Sequence, residues 1–281
     1  MGNSLEPFFM GDGAGGQRLC LYHPPHGQPA RAAVVYVHPL GEEMNKARRM
    51  AALQSRALAG AGYAVLQIDL LGCGDSSGDF ADASWNAWVD DVVRAARWLQ
   101  QRHPDTAPLW LWGLRAGALL AAEAAAQIDS ACNFLFWQPA GSGKPLLQQF
   151  LRLKVAAEML DGKAKGVMAG LQQELTAGRA VEIAGYALAP TLAVGLERSV
   201  LQPPARVARV EWIELSTRVG ATLLPASEAT LARWSGAAQQ VRSRIVSGPA
   251  FWQTTEVEEA PALITATLDA LAEKPAPAIA A

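Results

Sequence analysis

Apolar and polar positions follow two different periods along this chain. Short, nearly continuous apolar runs cover Arg31 to Val37, Tyr63 to Ile68, Leu109 to Trp112 and Ala131 to Trp137. Runs of that length, rich in β-branched and aromatic residues, predict strands buried on both faces of a parallel sheet. Between them the apolar positions fall at three- and four-residue steps. The clearest case is Trp85, Trp88, Val89, Val92, Ala96 and Leu99, one stripe of a helix with Ser84 as its N-cap and Pro104 beyond its end. A polar loop, Glu42 to Lys46, is expected to lead into an earlier helix that Gly62 stops. Residues 5–10 and 17–23 predict a hairpin around the glycine-rich residues 11–16.

After Gly141 the rhythm changes. Helical patterns over Leu146 to Leu160 and Ala164 to Leu175 precede an Ala/Leu-rich stretch, Ile183 to Leu196, with no convincing strand. Sheet and helix then return as strand Val210–Leu215, helix Pro225–Ser235, strand Gln240–Val246 and helix Val257–Leu271. The expected organisation is an α/β core over 1–140 and 207–273, a helical cap insertion over 141–206, and a disordered tail over 274–281. Strands alternating with amphipathic helices imply a mostly parallel sheet with helices on both faces.

Three strand ends carry motifs. The first is His38-Pro39-Leu40-Gly41, placed like an oxyanion loop. The second, Asp69-Leu70-Leu71-Gly72-Cys73-Gly74-Asp75-Ser76-Ser77-Gly78, resembles the D-x-x-G-x-G-x-S-x-G loop of many α/β-hydrolases. The third, Trp112-Gly113-Leu114-Arg115-Ala116-Gly117, has the layout of the nucleophile elbow G-x-S-x-G. In this order, each at a strand end, they specify the α/β-hydrolase fold.

The chemistry of that fold is missing. Its triad runs Ser, then Asp or Glu, then His along the chain. The elbow position is Arg115. The stretch after the seventh core strand reads Ser216-Thr217-Arg218, without an acid. The stretch after the eighth reads Gly248-Pro249-Ala250-Phe251-Trp252-Gln253-Thr254, without a histidine; all four histidines, His23, His26, His38 and His103, precede the elbow. What remains suits anion binding. Backbone N–H groups of Ala116 and Leu40, the opening of the helix after Arg115, and the guanidinium fork itself could meet a carboxylate or phosphate. His38 and Trp252 complete the expected binding residues, Trp252 at the pocket mouth. Arg115 is also expected to pair internally with Glu42, Glu43 or Asp75, because an unpaired buried guanidinium is costly. Cys73, or His38 with Asp69 or Asp75, would be the relocated groups of an active hydrolase or acyltransferase. In a third reading the apolar 183–196 segment docks a partner in an envelope-assembly complex.

Composition narrows this further. With 24 basic and 26 acidic residues the net charge is −2, which gives no electrostatic case for nucleic acid. Met1 to Met10 lacks a signal-peptide pattern, and no apolar run reaches transmembrane length. Three widely spaced cysteines, Cys20, Cys73 and Cys132, suit reduced thiols in the cytoplasm. No residue cluster has metal-ligand spacing, and no cofactor is expected. Gly141-Ser142-Gly143-Lys144-Pro145 lacks the first glycine of a phosphate loop.

Glu42 to Met50, the Gly72-Cys73-Gly74-Asp75-Ser76 loop, Trp112-Gly113-Leu114-Arg115 and Gly248 to Thr254 together resemble the exosortase A system-associated hydrolases of the second type. The resemblance spans nearly the whole chain. It implies a bacterial protein linked to exosortase A, its PEP-CTERM sorting substrates and exopolysaccharide production, with assembly proteins of that system as partners.

Overall fold

The computed structural model describes residues 5–13, 15–27, 29–105, 108–160 and 165–272. The expected tail, 274–281, lies outside these residues. Eight strands form one sheet: β1 (Glu6–Gly11), β2 (Gln17–His23), β3 (Ala33–Val37), β4 (Ala64–Ile68), β5 (Leu109–Leu114), β6 (Cys132–Trp137), β9 (Val207–Ser216) and β10 (Gln240–Ser247), in the spatial order β1-β2-β4-β3-β5-β6-β9-β10. β7 (Val181–Ile183) and β8 (Tyr186–Leu188) form a separate two-stranded sheet. β2 runs antiparallel to both β1 and β4, and every other pairing in the large sheet is parallel. This is the α/β-hydrolase fold. β1 and β2 do form the expected antiparallel pair, with Gly11 opposite Gln17.

The alternation of side chains along β5 separates two cores. Leu109 and Leu111 join one cluster with helices α2 (Trp85–Arg102) and α3 (Ala116–Ala125). Trp110, Trp112 and Leu114 join the other with α1 (Glu42–Gly60) and α8 (Pro261–Ala272). α2 buries the predicted stripe, and the Ser84 hydroxyl accepts the Ala87 N–H at 3.2 Å, a cap worth about 1 kcal/mol. α3 is buried nearly all round and carries no polar face to solvent except at Glu123.

Three expectations change. Glu42 and Glu43 are not loop residues; they form the first turn of α1, where the positive end of the helix favours carboxylates. The last helix begins at Pro261 rather than Val257. The third change lies between β6 and β9, where the chain forms α4 (Gly143–Leu160), α5 (Val167–Thr176), the β7–β8 hairpin and α6 (Pro190–Arg198). Ala184 and Gly185, both at positive φ, make the two-residue turn of that hairpin. Along the apolar 183–196 stretch Ile183, Leu188, Leu192 and Leu196 are fully buried, while Val194 is exposed. α7 (Pro225–Ser235) follows β9. Among the described residues no helix is long and apolar enough to cross a membrane.

Candidate functional site

The turn from β5 into α3 is the elbow. Arg115 sits at φ 55° and ψ −114°, a conformation that side-chain-bearing residues rarely adopt. Its flanking glycines are sterically required. A Cβ on Gly113 would come 2.5 Å from the Ala118 backbone nitrogen, and one on Gly117 would overlap the Val37 carbonyl oxygen. The turn is tied to the next strand by the Arg115 N–H, which donates to the Trp137 carbonyl at 3.1 Å.

The Arg115 side chain meets three others, each from a different element. Its Nε and Nη2 reach the Glu43 carboxylate at 3.5 and 3.3 Å. Nη2 also donates to Gln149 Oε1 at 2.8 Å, and Gln149 Nε2 donates to Glu43 at 3.4 Å. The guanidinium carbon lies 5.8 Å from the centre of the Trp252 ring, within range of a cation–π contact. Of the three expected partners, Glu43 is the one the fold delivers: Glu42 is 3.9 Å from Lys46 instead. Burial pushes the Glu43 carboxyl above the usual carboxylate range, against the pull of Arg115 and of a hydrogen bond with Gln253.

Above this cluster lies a cavity of about 250 Å³, lined by Leu40, Leu146, Phe150, Leu153 and Trp252 among apolar residues and by Glu42, Glu43, Lys46, Gln149 and Gln253 among polar ones. It sits between the end of β3, the start of α1, α4 and the segment after β10, which is where ligands bind in open α/β sheets. A larger, more open groove of about 670 Å³ runs between the start of α2 and α6, lined by residues such as Trp85, Pro190 and Arg198. It includes none of the elbow cluster, so the smaller cavity is the candidate site.

Of the sequence-derived candidates, Arg115, Leu40 and Trp252 are brought to this cavity or directly behind it. Trp252 is a buried wall, 3% exposed, rather than a residue at an open mouth. Ala116 opens α3 and is buried. His38 is not brought there. Its Nε2 accepts the Leu70 N–H at 3.2 Å and its Nδ1 donates to the Pro39 carbonyl at 2.8 Å. Both ring nitrogens are thus used by the backbone, and burial lowers its pKa. Sequence reasoning missed Gln149 and Gln253, since an isolated glutamine carries no pattern that marks it.

The remaining candidates for catalysis are occupied elsewhere. His23 pairs with Gln67, His103 with Tyr22, and His26 is exposed. Cys73 is buried, and desolvation, with Asp69 adding to it, pushes its thiol far up; a neutral thiol is a poor nucleophile. Glu214, close to the end of β9, accepts the Trp212 indole N–H at 2.8 Å. Residues 217–220 beyond that strand are exposed. Among the described residues no group of three or more His, Cys, Asp and Glu gathers to hold a metal ion.

The sheet order, the antiparallel second strand and the glycine-flanked elbow define an α/β hydrolase. The chain belongs to the Hydrolase_4 family, serine aminopeptidase, S33, whose model matches residues 28–173. Solved structures with the same fold include Est1E from Butyrivibrio proteoclasticus, with a TM-score of 0.63 at 14% identity over 94% of this chain and 97% of that one. A highly thermostable carboxyl esterase from Bacillus coagulans, in complex with glycerol, gives 0.63 at 13% identity over 96% and 98%. A soluble variant of monoglyceride lipase from Saccharomyces cerevisiae gives 0.61 at 13% identity over 96% of both chains. No curated protein matches the chain in sequence.

Proposed function

We propose that this member of the family binds a ligand at the elbow instead of hydrolysing one. The ligand is an anionic acyl or saccharide compound held between the sheet and the 141–206 segment, which serves as a cap. The observation that carries this reading is the Arg115 side chain, held by Glu43 and Gln149 where a nucleophile would stand. Trp252 packs against it from the segment that would supply the histidine. A serine elbow needs a general base within hydrogen-bond reach, and each histidine with a described side-chain hydrogen bond is engaged away from the cavity. In keeping with the sequence resemblance, the protein acts as a bacterial accessory of exosortase A-linked protein sorting and exopolysaccharide production. Its three buried free thiols fit the reducing cytoplasm.

The test is a panel of chromogenic esters from acetyl to dodecanoyl, together with serine- and cysteine-directed covalent probes. The wild type is expected to give no turnover and no labelling. Arg115→Ser is expected to remain without esterase activity, because among the described residues no histidine is placed to activate the new hydroxyl. Turnover by the wild type, or by that single variant, refutes the binding role.

A further inference from the structure

The internal partners of Arg115 fit it poorly. A well-made guanidinium–carboxylate pair is about 2.7–2.9 Å long, whereas Glu43 stands 3.3 and 3.5 Å away. The short contact, 2.8 Å, goes to the neutral oxygen of Gln149. Nη1 of Arg115 has no hydrogen-bond partner among the described residues. The Trp252 ring, centred 5.8 Å from the guanidinium carbon, carries an Nε1 donor that is buried and also without a partner, and Trp252 lines the cavity. Two donors behind the cavity wall are therefore unused, and the Glu43 carboxylate that lines the cavity is held loosely.

Leu40, Leu146, Phe150 and Leu153 supply apolar lining to the same cavity. A volume of about 250 Å³ holds about eight groups of water size, at about 30 Å³ each. Lys46 lines the same cavity one helical turn after Glu43, on the same face of α1, and its contact with Glu42 is a long 3.9 Å. It can take up the Glu43 charge when that carboxylate leaves Arg115.

We propose that Glu43 is an internal stand-in for the ligand: a compact monocarboxylic acid with an apolar body displaces Glu43 and Gln149 from Arg115. The exchange rests on the non-hydrolytic reading above and selects an acyl acid over a saccharide. The incoming carboxylate receives the Arg115 fork and the Trp252 indole N–H, while its chain covers Leu146, Phe150 and Leu153. No bond is made or broken.

Calorimetric titration with octanoate and with octanol separates the head group from the chain. Wild type is expected to bind octanoate at least about tenfold more tightly than octanol. Removing an internal competitor raises apparent affinity by the fraction of time it occupied the site. Glu43→Gln is therefore expected to tighten octanoate about tenfold and leave octanol unchanged, and Arg115→Gln to abolish the preference for the acid. Gln149→Ala, which frees Nη2 while keeping Glu43, is expected to tighten octanoate severalfold and serves if Glu43→Gln does not fold. Equal binding of acid and alcohol, binding of neither at millimolar concentration, or no gain in the folded variants overturns the exchange. Ester turnover would instead refute the non-hydrolytic reading, so the two failures are read from different measurements.

Discussion

His23 shows how a single side chain sets a pH limit on this fold. It is 5% exposed, and Gln67 Nε2 donates to its Nε2 at 2.9 Å, so the native ring is neutral. Burial, and then the Arg56 charge, hold its pKa down to about 4, against about 6.5 in the unfolded chain. The unfolded state binds the proton first, so the contribution of His23 to stability is complete above pH 6.5 and is lost as pH falls toward 4. Burial shifts His38 in the same direction. Urea midpoints are expected to fall between pH 7 and pH 4.5, and His23→Gln is expected to flatten that slope; an unchanged slope counts against the assignment. At this scale the sequence was partly informative. The absence of a nucleophile at Arg115 could be read directly. Its pairing with Glu43 rather than Glu42 or Asp75 could not, because residues 42–46 read as a polar loop. Only the first turn of α1 aims Glu43 at the elbow while leaving Glu42 near Lys46.

Among the elements, glycines separate two kinds of position. Gly117→Ala would drive a methyl group into the Val37 carbonyl oxygen, a backbone atom of a central strand. The expected loss is about 3 kcal/mol, at the upper end for overpacking, read from chemical denaturation. Gly170, inside α5, has open space where a Cβ would stand. Gly170→Ala is expected to add about 0.5–1 kcal/mol by favouring the helix, which the same denaturation curves would reveal. The long strands and the helices of the core were legible because each is a sustained period of one kind. The β7–β8 hairpin was not, although Val181-Glu182-Ile183 does alternate buried and exposed. Three residues are too few to separate a strand from the helical runs around them, and Ala184-Gly185 is a weaker turn signal than Asn-Gly.

For the molecule as a whole, the far edge of the sheet depends on a charge cluster that no pattern announced. Glu211 in β9 is fully buried, and burial raises its pKa. Arg209 Nε donates to it at 2.8 Å, while Arg242 and Arg244 of β10 approach it at 3.9 and 3.6 Å. The three arginines lie on neighbouring strands whose parallel register places Arg242 opposite Glu211. Removing the carboxylate breaks its buried pair with Arg209, a loss that costs about 3–5 kcal/mol. Glu211→Ala is therefore expected to lower the melting temperature sharply, with amide exchange rising first in β10. Uniform exchange across the sheet would mean that the cluster does not hold that edge.

The backbone at Arg115 has a further consequence. A non-glycine residue held in such a conformation costs about 1–3 kcal/mol, and φ 55° with ψ −114° is the mirror image of a region that glycine enters freely. Arg115→Gly and Arg115→Ala lose the same side-chain contacts and differ in that strain, so the glycine variant is expected to be the more stable by about 1 kcal/mol or more. An arginine kept at the strained turn measures what the molecule gives up in foldedness to hold a positive charge there.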